Sequence, residues 1–249
     1  MSQMSRNIGF FAAISLGLMP LFGSLPAPAD EFVDAKHLVS ITQGGLLYDN
    51  WYAQLGVDAP KKTHPLYPSA GKKKGATTWR CKECHGWDYK GAHGAYSKGS
   101  HFTGIIGLRN MTHSPLEKIV EILSDKKHGY GGKIPKDGLM QLAHFVSHGQ
   151  VDMDIYIDRD TKMVRGDPKR GERIFQTTCV RCHGDDGKAI NFKSPPKAEY
   201  IGTVANGNPW EALHKIRNGQ PSVQMISMGA FDAQTHADIL AYARTLPQK

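Results

Sequence analysis

Cys81-Lys82-Glu83-Cys84-His85 decides how this chain is read, and it returns 98 residues later as Cys179-Val180-Arg181-Cys182-His183. A Cys-x-x-Cys-His run sets two thiols about one helical turn apart for thioether bonds to a porphyrin, with an imidazole directly beside them for the iron. Four-thiolate zinc sites and redox dithiols also use cysteine pairs. Neither requires a His straight after both second cysteines, and the chain has no other cysteine. The expectation is two covalently attached haem c groups. Cys81, Cys84, Cys179 and Cys182 would be the attachment points, and His85 and His183 would each ligate an iron.

The 249 residues suffice for two small domains. Segments of about 100 residues bury modest cores, and a haem adds a large apolar filling. Mean hydropathy is −0.42, as in soluble proteins. Residues 1–29 alone argue otherwise. Arg6, the apolar run from Ile8 to Phe22 and the small-residue pattern Ala27-Pro28-Ala29 read as an export signal. That run is short for a membrane span of about 20 residues, although an uncleaved anchor or peripheral membrane association stays open. Export places the chain in the periplasm or outside the cell, where nucleic acid is not an expected partner despite the pI of 9.2. Removing Arg6 with the signal takes the net charge from +8 to +7. Lys61-Lys62 and Lys72-Lys73-Lys74 read as solvated charge runs or as steering toward an acidic redox partner.

The second half is the cleaner copy. Gly171, Phe175 and Cys179 recur at spacing four, on one face of a helix leading into the cysteine pair. Asn208-Pro209-Trp210-Glu211 opens a helix with Asn at N-cap, Pro at N1 and Glu at N3, and that helix stops near Gly219. Asp232 caps a last helix running through Leu246, before Pro247. With Met225 and Met228 in the loop before it, the half from about Gly166 onward resembles class I cytochrome c. The resemblance implies a crossing of first and last helices at Gly171, Phe175 and Tyr242. It also implies a backbone carbonyl near Pro195 that orients His183.

The first half repeats the plan with insertions. Gly45, Tyr48 and Trp51 can form the face of its first helix. Ser114-Pro115-Leu116-Glu117 repeats the cap grammar of the second half, and Asp137 to His148 matches the last helix, with Phe145 in the place of Tyr242. The segments 53–79 and 86–110 show no hydrophobic period. The fold expected is mainly α: two tandem cytochrome c-like helical domains over residues 30–150 and 167–249, each around one haem. Residues 151–166 read as a short hairpin or an acidic linker.

In class I cytochromes a Met before the last helix binds the iron opposite the His. By position this is Met225, with Met228 as core filling, although the usual Met-Pro is absent. Aligning the copies on Tyr242 and Phe145 puts His128 under Met225, so the first iron is expected to take an imidazole; His101, Lys133 and Met111 are the alternatives. Two nitrogen ligands lower a haem potential relative to Met ligation.

Two functional classes follow. An electron carrier between redox proteins, or a subunit of a membrane-bound respiratory complex, needs both irons six-coordinate and no catalytic residue. A haem enzyme, peroxidase-like or thiosulfate dehydrogenase-like, needs an open iron, with His93, Tyr96 and His101 as pocket groups. Thiosulfate dehydrogenases use a distal cysteine, and all four here are committed to thioethers. Carriage is the expected role.

Overall fold

The computed structural model describes residues 34–69 and 71–249; the expected export segment lies outside the described residues. Helix α1 (Ala35–Leu55) starts where the Asp34 carboxylate accepts the Lys36 N–H at 3.1 Å and stops where Gly56 turns left-handed at φ 65°. Its chain bends at Asn50, whose φ and ψ are −157° and 85°. The buried face carries Ile41, Leu47, Tyr48 and Trp51, at the helical spacing of an inward stripe. The short α2 (Cys81–His85) follows, then α3 (Leu116–Ser124) and α4 (Lys136–His144). The second half supplies α5 (Pro168–Ile174), α6 (Val180–His183), α7 (Ile201–Gly207), α8 (Pro209–Asn218) and α9 (Ala233–Ala243). The described chain is mainly helical, and its extended pairing consists of isolated bridges.

Two helix crossings organise it. In the second half α5 meets α9, and a Cβ at Gly171 would overlap the Asp238 carbonyl. Phe175 lies against Tyr242 with centroids 5.3 Å apart, as the resemblance implied. In the first half α1 meets α4 in the same register. A Cβ at Gly44 would overlap the Gln141 carbonyl, and Tyr48 packs on Phe145 at 5.2 Å. Gln141 and Phe145 stand 97 positions before Asp238 and Tyr242. Gly45, read with Tyr48 and Trp51 as part of this helix's face, points at the Asn218 side chain on α8. Sequence spacing could not separate two adjacent glycines, because a rotation of 100° decides which one meets the partner.

Capping was legible in the second half. Asn208 accepts the Glu211 N–H at 3.4 Å and Asp232 the Thr235 N–H at 2.7 Å. In the first half Pro115 itself occupies the N-cap of α3, and the Ser114 carbonyl accepts the Ser147 hydroxyl at 2.8 Å. Helix α7 had no sequence signal. Seven residues are too few for a period, and its position comes from packing: Ala205 is buried, and Gly202 lies against the Leu246 and Pro247 carbonyls. Between the halves, Ile157 and Val164 form an antiparallel bridge, and Arg165 N–H donates to Tyr156 O at 2.7 Å.

The α8 helix packs on α1. His214 is fully buried among Tyr48, Trp87, Tyr89 and Phe145. Its Nε2 donates to the Gly45 carbonyl at 3.0 Å, so Nδ1 accepts the Tyr89 hydroxyl at 2.8 Å. Asp49, 1% exposed, receives Lys215 at 2.7 Å and also pairs with Arg80. Among the described residues no helix is long and apolar enough to cross a membrane.

Candidate haem-binding sites

The first cysteine pair opens onto a cavity of about 410 Å³, within the roughly 300–1,000 Å³ of small-molecule and cofactor sites. Cys81, Cys84 and His85 line it together with His128. The short α2 fixes the first three on one turn and ends on Gly86, at φ 79° and ψ 160°. Its buried polar groups are paired: Glu83 meets Lys82 and His101. Burial opposes charge on Glu83, but the His101 hydrogen bond and the Lys82 ammonium outweigh it and hold the carboxyl down to about 2.

Both insertions build the cavity wall. The 86–110 loop places the Ile106 carbonyl 2.8 Å from His85 Nδ1. A carbonyl only accepts, so Nδ1 carries the proton and Nε2 keeps its lone pair, as an iron-ligating imidazole requires. The 53–79 insertion contributes His64. Its Nδ1 accepts the Leu66 N–H at 3.1 Å, so its Nε2 donates to the His128 carbonyl at 2.9 Å. His64 lines the cavity, yet both its ring nitrogens are engaged; its effect is to hold the backbone of His128. Nothing in the sequence pattern pointed to His64 or to Ile106, since each acts through a contact across an aperiodic loop. Burial lowers the basicity of His85 to about 4, and nearby His128 adds to the effect.

The alternatives for the first iron separate. Met111 lines the cavity. Lys133 donates to the Gly129 carbonyl at 2.7 Å and lies over the Trp79 ring, and His101 stacks on Tyr96 at 4.7 Å. His93, Tyr96 and His101, the groups considered for an enzyme pocket, are not in the cavity wall.

The second pair repeats the local backbone of the first. Helix α5 leads through the Phe175–Cys179 turn into α6, which ends on Gly184 at φ 78° and ψ 161°. The His85 carbonyl accepts Gly91 N–H at 2.8 Å and the His183 carbonyl accepts Ala189 N–H at 2.9 Å, each six residues on. Among the described residues, His183 Nδ1 is buried without a hydrogen-bond partner. No carbonyl near Pro195 pairs with it among the described residues, and residues 193–197 are exposed. Met225 is half-buried in the loop between α8 and α9, while Met228 is in the core, its carbonyl accepting His236 Nε2 at 2.7 Å. Phe192, whose ring centroid is 6.3 Å from that of His183, is exposed, as are Val223 and Ile226 beside Met225 in the chain.

Burial pushes the Cys81 and Cys84 thiols up to about 12 and Cys179 up to about 11. A redox dithiol needs the opposite shift. Among the described residues the four cysteines also form no common metal cluster, so the zinc reading has no geometric support.

Residues 166–242 match the family model described as cytochrome c oxidase, cbb3-type, subunit III. A stretch of 113 residues is 28% identical to a cytochrome c-type cyt cy of Rhodobacter capsulatus. That similarity covers 37% of this chain and 56% of the relative.

Proposed function

We propose that this chain is an exported electron carrier with two covalent haems. Cys81, Cys84 and His85 would hold the first, with His128 as its further ligand, and Cys179, Cys182 and His183 would hold the second, with Met225 as its further ligand. The observation that carries the first site is the single cavity onto which both cysteines, His85 and His128 face. The second is supported by the repeated backbone around His183 and by the family match over residues 166–242.

When bound, each haem supplies a one-electron couple. The protein's part is orientation and exclusion of water. Ile106 O fixes the His85 tautomer, His64 fixes the loop of His128, and the aliphatic wall of Ile119, Leu142 and Val146 keeps the first site apolar. A site with two imidazoles would give its haem a lower potential than a site with a thioether, and this donor set would favour passage of an electron from the first site to the second. The partners are redox proteins or a membrane-bound respiratory complex, in keeping with the oxidase subunit in the family's description. The place of action is the periplasm.

A redox titration followed by near-infrared and low-temperature spectroscopy tests this. It should give two irons per chain and two resolved potentials, the lower with a bis-imidazole signature and the higher with a Met signature. One iron per chain removes the two-haem reading, and a single unresolved potential removes the downhill pair. High-spin iron in the resting first site would favour the enzyme class.

A further inference from the structure

Away from the cavity, three histidines converge at the surface. His37 comes from the start of α1, His144 ends α4, and His148 lies in the turn that follows. One ring nitrogen from each lies within 4.8 Å of the other two. The His37 centroid is 4.9 Å from that of His144 and 5.1 Å from that of His148. The Nδ1 atom of His144 is buried and has no hydrogen-bond partner among the described residues. His113 borders the group, its N–H donating to Ser147 O at 2.9 Å and its ring 5.9 Å from that of His148.

Clustered imidazoles without a carboxylate suit zinc, copper or nickel rather than calcium or magnesium, which take oxygen donors. A tetrahedral ion with Zn–N of about 2.0–2.1 Å needs its donors roughly 3.4 Å apart. Rotation of the exposed His148 ring and the half-buried His37 ring covers the difference.

We propose that His37, His144 and His148 bind one late first-row divalent ion, zinc as the reference, with His113 or water in the fourth position. The ion fastens the start of α1 to the end of α4 and so clamps the crossing at Gly44. It is separate from the haem sites and does not depend on their ligands.

The test is equilibrium dialysis of the haem-loaded protein against zinc chloride, with zinc and iron counted by elemental analysis. One zinc per chain is expected at about 10 µM free zinc or below. His37→Gln and His148→Gln should each weaken binding at least tenfold with the haem spectrum unchanged, and exposed His93→Gln should have no effect. X-ray absorption at the zinc edge should count three or four imidazoles. Undiminished binding in the His37→Gln/His148→Gln double variant, an oxygen-dominated shell, or binding only at millimolar zinc would each overturn the proposal.

Discussion

His64 shows how a side chain outside the motifs can hold the loop of His128, the ligand proposed for the first site. Its Nε2–H holds the His128 carbonyl, and its Nδ1 is occupied by Leu66 N–H. His64→Leu removes that bond while keeping bulk, at about 0.5–1.5 kcal/mol for one hydrogen bond. The expected outcome is an increased fraction of ferrous first haem that binds carbon monoxide, with the Met signature of the second unchanged; a carbon monoxide difference spectrum measures it. His214 carries a pH dependence. Burial lowers its basicity to about 4, below the unfolded value near 6.5. The unfolded chain therefore takes up the proton first. The stability tied to neutral His214 is complete above about pH 6.5 and is lost progressively as pH falls toward 4, up to about 3 kcal/mol. Urea unfolding of wild type and His214→Gln across that range should show a steeper acid loss in the wild type.

At the scale of elements, the two crossings depend on glycines with carbonyls directly over them. At Gly171 any Cβ meets the Asp238 carbonyl, a backbone group that cannot rotate away. Gly171→Ala must push α5 off α9, and overpacking of this kind costs about 1–3 kcal/mol. Gly207, with nothing within 4 Å of its Cβ position, is the control: Gly207→Ala should be neutral or stabilise by up to about 1 kcal/mol. Denaturation midpoints of the two variants measure the contrast. Equal midpoints would mean that the crossing tolerates separation.

For the molecule as a whole, Asp49 joins the halves. Its carboxylate on α1 receives Lys215 from α8 and Arg80 from the segment before Cys81. Burial raises its proton affinity, but Lys215 and Arg80 outweigh burial and leave it below the usual carboxylate range. A depressed carboxyl stabilises above about pH 4, and that contribution fades as the pH falls through the lowered value. Asp49→Ala leaves two cations facing an empty site and should cost about 3–5 kcal/mol, measured by chemical unfolding at pH 7. An effect below about 1 kcal/mol would show that the apolar contacts around His214 join the halves without it.

The sequence by itself determined the chemistry that is local along the chain. Each cysteine pair and its His fit one helical turn, and the caps at Asn208 and Asp232 are contacts between near neighbours. Helical spacing put Gly171, Phe175 and Cys179 on one face, and the resemblance to class I cytochrome c implied that this face crosses the last helix at Tyr242. Tertiary structure decided whatever depends on rotation or on aperiodic chain. It chose Gly44 over Gly45, brought His64 to His128 and Ile106 to His85, and placed α7. It also gathered His37, His144 and His148, which no motif joins. The physical reason is that a pattern read along one chain fixes which face of a helix is apolar, whereas the groups that meet it across space are set by how loops of no fixed period close over the core.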